Sequence, residues 1–165
     1  MKTADLLSIL QEFHREKLAM LLKHLAGARV VGQYDVNNTY QYIINREEVQ
    51  LSWLTAAITA LGGTPSTESA EPDRATKGDA AARARAVIEE DARECADFVA
   101  RWRPRVEAME HARHRGMLRV ILGETLEQQR FFEQGASGRT DLLGRRAEQI
   151  VGPAIGAVLP TRWVE

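Results

Sequence analysis

Apolar side chains recur at helical spacing in four separate stretches of the chain. The first runs from a candidate cap at Thr3 to Gly27 and places Leu6, Ile9, Leu10, Phe13, Met20 and Leu21 on one broad stripe. The second is predicted to start after Asn37-Asn38 and to stop at Gly62-Gly63, with Tyr40, Ile43, Ile44, Leu51, Leu54, Ile58 and Leu61 inward. A third opens at Asp79 and carries Val87, Ile88, Cys95, Phe98, Val99 and Trp102. Pro104 is expected to kink or end it, because proline removes a backbone donor and clashes with the preceding turn. The fourth spans Arg113 to Gln134 with Met117, Val120, Ile121, Phe131 and Phe132, and stops at Gly135. Val30-Val31 is a β-branched pair between breakers, too short for a strand. The pattern predicts an all-α fold.

Connection lengths constrain how four such helices pack. Short first and third gaps, the first about ten residues and the third fewer, make helices one and two antiparallel neighbours, and likewise three and four. The second gap, residues 62–78, is rich in Gly, Pro, Ser, Thr and charge. At about 3.3 Å per residue it reaches ~50 Å, the length of a bundle, so a crossover making helices two and three parallel is expected. Residues 1–135 then form one bundle. Residues 136–165 form an extension, with a short helix from Thr140 or Asp141 to about Val151 and apolar side chains such as Leu142, Ile150, Ile155 and Trp163 packing on the bundle or on a partner subunit.

Composition narrows the function classes. The chain has 165 residues, 44% apolar, and a formal net charge of −1, which suits one globular domain and gives no electrostatic footprint for nucleic acid. No apolar run approaches the ~18 residues of a membrane span, and Asp5 interrupts what a signal peptide would need to be apolar, so a cytoplasmic location is expected. Cys95 is the single cysteine and reads as a small apolar filler. Trp53 and Trp102 read as packing residues, and the arginines around Pro104 as solvated side chains near the end of helix three.

The anomaly lies within the apolar stripes. Glu47 falls between Ile43 and Leu54 with Gln50 three residues on; Glu124 falls between Ile121 and Phe131 with Glu127 three residues on. Asp91 falls between Ile88 and Cys95, and Glu16 lies near the edge of the first stripe, with Lys17 closer to its centre. The spacings match, since Glu16 to Glu47 is 47 − 16 = 31 residues and Asp91 to Glu124 is 124 − 91 = 33. Two hairpins joined by a crossover would bring these groups to one level. Buried carboxylates repel and lose hydration, so they need counter-charge. Divalent cations that accept hard oxygen ligands supply it, or Lys17 or a nearby arginine does so without metal.

These residues resemble the di-metal carboxylate motifs of ferritin-like proteins, in which two helices give one acid each and two give E-x-x-H. Glu47-Glu48-Val49-Gln50 is similar to the family's E-E-x-H with glutamine in the histidine place, and Glu124-Thr125-Leu126-Glu127 to E-x-x-H with glutamate there. Asp91 through Phe98 resembles the E-x-x-A-V-x-x-Y of rubrerythrins, and Glu16-Lys17-Leu18-Ala19 matches E-x-x-A. The resemblance covers about residues 3–134. It implies a ferritin-like four-helix bundle holding two Fe or Mn ions on Glu16, Glu47, Gln50, Asp91, Glu124 and Glu127, with an oxidoreductase or metal-handling role; a homodimer through the carboxy-terminal extension or an outer helix face is expected. The alternative is a metal-free relative acting as a structural or interaction module. The four histidines do not restore the motifs. His14 faces away from Glu16, His24 lies two turns beyond it, and His111 and His114 sit at the entrance of helix four.

Overall fold

In a computed structural model that describes residues 3–67, 72–74 and 77–144, the four expected helices are present and no strand occurs among the described residues. They are α1 (Thr3–Val30), α2 (Tyr34–Ala60), α3 (Ala80–Glu107) and α4 (Ala112–Ala136).

Helix ends follow local capping chemistry, and one departs from expectation. Asp79 caps α3 by accepting from the Ala82 amide at 2.8 Å. Gly62 at φ 77° ends α2, with the Gly63 amide returning to the Ile58 carbonyl at 3.0 Å. The start of α2, however, lies at Tyr34, not after Asn37-Asn38. Gln33 is the cap, accepting from the Val36 amide at 2.7 Å, while the Asn37 amide reaches back to the Ala28 and Val31 carbonyls and closes the end of α1. The connection between α1 and α2 therefore shrinks to residues 31–33. Pro104 lies in the final turn of α3, which continues to Glu107. Residues 142–143 form a turn with Leu142 buried, no helix begins at Thr140 or Asp141, and the rest of the expected carboxy-terminal helix lies outside the described residues.

Side-chain contacts give the helix directions. His14 meets Thr55 and Lys17 meets Glu47, so α1 and α2 are antiparallel. Glu12 meets Arg105, Glu16 meets Arg101 and Lys23 meets Glu94, so α1 and α3 are antiparallel too. Arg119 meets Glu107 across α4 and α3, and Tyr42 meets Phe131 across α2 and α4. Packing is most extensive between α3 and α4 and least between α2 and α4.

The core has apolar layers at both ends and a polar layer between them. Toward one end Phe13 sits edge-on to Phe98 and Trp102, at 5.1 and 4.7 Å between ring centres, with Leu10, Leu54, Ile58 and Leu118 fully buried. Toward the other, Tyr40 packs on Phe132 at 5.1 Å beside Val87. Burying each large apolar side chain contributes about 1.5–3 kcal/mol, so these layers hold the helices together.

Gly27 marks the tightest approach between α1, α2 and α3. A Cβ there would lie 3.1 Å from Tyr40 Cε1 and Val87 Cγ1 and 3.2 Å from Asp91 Oδ2. Gly27→Val is expected to destabilise by roughly 1–3 kcal/mol in urea unfolding, because the three neighbours are themselves packed. Gly123→Ala, where a Cβ meets nothing within 4 Å, should instead gain about 0.5–1 kcal/mol from helix propensity.

Candidate functional site

The polar layer is built on Glu47. Lys17 Nζ donates to its Oε1 at 2.6 Å and His24 Nδ1 contacts its Oε2 at 2.7 Å, all three side chains being wholly inaccessible to water. Lys17 and His24 are seven residues apart, two helical turns, so they project from one face of α1 and flank the carboxylate from above and below. Lys17 Nζ also lies 5.6 Å from the centre of the Phe98 ring, where the π face attracts a cation.

The charges of this triad sustain one another. Burial alone would push the Glu47 carboxyl up, but the charges of His24 and Lys17 and their hydrogen bonds prevail and lower it to about 2. For His24, burial opposes the imidazolium, yet Glu47 outweighs it, with Cys95 and Asp91 adding, and raises it to about 10. At neutral pH Glu47 is therefore a carboxylate and His24 an imidazolium.

A second buried acid, Asp91, is held separately. Arg74 Nη1 donates to its Oδ1 at 2.7 Å and the Tyr40 hydroxyl donates to its Oδ2. Arg74 reaches in from the connection between α2 and α3 and also donates to the Val87 carbonyl at 3.1 Å, to Glu90 at 3.1 Å and to the Lys23 carbonyl at 3.3 Å. Burial raises the Asp91 carboxyl above its ordinary range, against the pull of His24 and Arg74. Burial, then the Asp91 charge, lift the Tyr40 hydroxyl well above its ordinary value, so it stays a proton donor.

The remaining ligand candidates lie away from this layer. Glu124 is half-buried at the edge of α4, where Arg46 and the Gln50 amide (2.5 Å) donate to it. Glu16 lies between α1 and α3, accepting from Arg101 at 2.8 Å and from Trp102 Nε1 at 3.0 Å. Glu127 is exposed. The structure thus brings Glu47 and Asp91 into the core beside His24, and Gln50 to Glu124, but does not gather the six groups into one cluster. Among the described residues no set of three or more His, Cys, Asp or Glu side chains is arranged to hold a metal ion.

The phase of α4 explains the difference. Its buried face is Leu118, Ile121, Leu122, Thr125, Gln128 and Phe132, whereas Val120 is 51% exposed. At 100° per residue Glu124 lies about 100° from the centre of that face and Glu127 about 160°. The polar residues that α4 does present inward are Thr125, which donates to the Ile121 carbonyl, and Gln128, whose two amide atoms find no hydrogen-bond partner among the described residues. Measured from Glu16 alone, His24 lies two turns away. Its seven-residue spacing from Lys17 was the available signal. Arg74 had none, since it lies in an aperiodic connection.

Each Glu47 oxygen is already engaged by a buried cation, whose charge opposes a divalent ion at the same place, and the Asp91 oxygens are engaged by Arg74 and Tyr40. The residues present do not fit the di-metal centre that the motifs implied. They fit internal neutralisation.

The pH dependence of stability has a definite sign. The His24 contribution is complete below about pH 6.5 and is lost as pH rises through about 10. That of Glu47 is complete above about pH 4.5 and is lost as pH falls through about 2. Glu47→Gln should destabilise by roughly 3–5 kcal/mol at pH 6, because it strands two buried cations. Replacing the triad together, as Lys17→Met, His24→Leu and Glu47→Leu, should cost far less and flatten both limbs of the urea-midpoint profile. Equal loss in the single and triple variants would mean the triad is not an electrostatic unit.

No protein family matches the sequence, no curated protein is similar to it, and no solved structure matches the fold.

Proposed function

We propose that this chain is a metal-free relative of the ferritin-like bundles, working as a structural or interaction module rather than as a di-metal oxidoreductase. One observation carries the reading. Both oxygens of Glu47, the acid at the centre of the resemblance, are taken by Lys17 and His24. Lys17 and His24 supply at that point the positive charge that a divalent ion supplies in the metal-binding members.

Architecture supports the kinship. With α1 antiparallel to both α2 and α3, helices α2 and α3 run parallel. Of the connection between them, the Thr64 carbonyl lies at Gln11 and Arg74 at the Lys23 carbonyl, two points along α1. These directions and contacts support the reading of a long crossover of the ferritin-like kind. Arg74 pins its part of the connection to Asp91, so the second buried acid serves topology. What the molecule offers a partner is then its rigid outer surface.

Protein expressed in iron- and manganese-supplemented medium should contain only trace metal by elemental analysis. Added Fe²⁺ or Mn²⁺ should leave Tm unchanged, whereas a bound ion at 100-fold its Kd would add about 2.7 kcal/mol. The pair Gln50→His and Glu127→His should gain no iron or zinc affinity, because Gln50 faces Glu124 and Glu127 faces water. Stoichiometric metal that disappears in Glu47→Gln overturns the proposal.

A further inference from the structure

The bundle leaves one seam open. Along α2, residues 42, 46, 49, 53, 56 and 60 follow the alternating four- and three-residue steps of a heptad stripe; residues 113, 117, 120, 124, 127 and 131 do the same along α4. These stripes face each other, through Tyr42 with Phe131 and Arg46 with Glu124, yet α2 and α4 are the least closely packed pair. Tyr42, Val49, Trp53 and Val120 remain 36–51% exposed. Beside Trp53 the seam widens into a groove of about 550 Å³ lined by Ala57, Leu61, His114 and Met117. Residues 49–61 of α2 contain no charged side chain. An exposed surface with a tryptophan and no charge is the composition of an interface core.

We propose that this seam is the face by which two copies of the chain associate about a two-fold axis near Val120 and Trp53. The charge pattern selects a second copy. On α4 the stripe is positive at Arg113, apolar at Met117 and Val120, and acidic at Glu124 and Glu127. Arg113 and Glu127 lie seven residues either side of Val120, so a two-fold axis there sets Arg113 of each copy against Glu127 of the other. Trp53 belongs at the same level, one turn along from the Gln50–Glu124 contact in each helix. The aromatic anchor is therefore central and the charge pairs lie at the rim, where they set orientation more than affinity. Running from Tyr42 to Ala60, the seam is about 27 Å long and two helices, about 20 Å, wide. That footprint, about 540 Å² per partner in projection, reaches the ~1,000 Å² total that a specific interface needs. This inference stands independently of how the core acids are neutralised.

Sedimentation equilibrium of the full chain tests it. The expected mass at roughly 100 µM is twice the 18.5 kDa of one chain. Trp53→Glu and, separately, Val120→Glu should raise the dissociation constant at least tenfold while leaving helical content unchanged, since both side chains are on the surface. Arg113→Glu alone should weaken association, and adding Glu127→Arg should restore it, which only the antiparallel two-fold pairing predicts. A monomer at every concentration overturns the proposal, as does a dimer indifferent to both glutamates. A chain ended after Gly144 that dimerises where the full chain does not would equally overturn it, because the seam's occupant would then be the chain's own residues 145–165.

Discussion

One carboxylate, Glu47, held without water between Lys17 and His24, sets the terms for the rest of this bundle. An unpaired carboxylate at that depth would lose several kcal/mol of hydration, and two buried cations without it would fare worse. The three groups are affordable only together. Because Lys17 and His24 sit on one face of α1 and Glu47 on the facing side of α2, the condition is met in a single axial register of the two helices. A one-turn slip would separate charges by about 5.4 Å in a low-dielectric interior.

Stability and specificity are thereby divided between different layers. The aromatic cluster of Phe13, Phe98 and Trp102 and the aliphatic side chains around it supply the free energy that holds the helices together. Buried ion pairs contribute little net stability against a well-packed apolar substitute, and their effect is to penalise alternatives. Arg74 extends the same logic to connectivity. By pairing with Asp91 it couples an otherwise aperiodic connection to the core, with Tyr40 as a proton donor on the other oxygen. The buried Gln128 amide has no such partner, a polar group that an internal water would satisfy.

The seam between α2 and α4 follows from this division too. Among the described residues its polar cross-links, Arg46 and Gln50 to Glu124, lie at the edge of the core, and the apolar side chains on either side of them are left facing outward. A helix pair closed on its inner face and open on its outer one keeps its internal register fixed while presenting a long surface with apolar side chains at its middle and charges toward its ends. The geometry of the core and the availability of that surface have one origin, the rotation of α4 that turns Thr125 and Gln128 inward.

Hydrophobic periodicity alone determined the four helices, their approximate lengths, most of the core and the presence of Glu47 and Asp91 within it, because those properties depend on neighbours three and four residues apart. Asp79 as a cap and Gly62 as a stop were legible for the same reason. Local pattern could not place α2's start, where Gln33 and Asn37 serve two helices at once. Local pattern also sets the face of α4 about 70° from the observed one, because Val120 and Phe131 make a second apolar stripe beside it. The partners of the acids were decided only by tertiary packing. Whether Glu47 meets His24 or Glu124, and whether Asp91 meets Arg74, depends on the rotation and axial offset between helices, and a repeat of 3.6 residues carries no information about either.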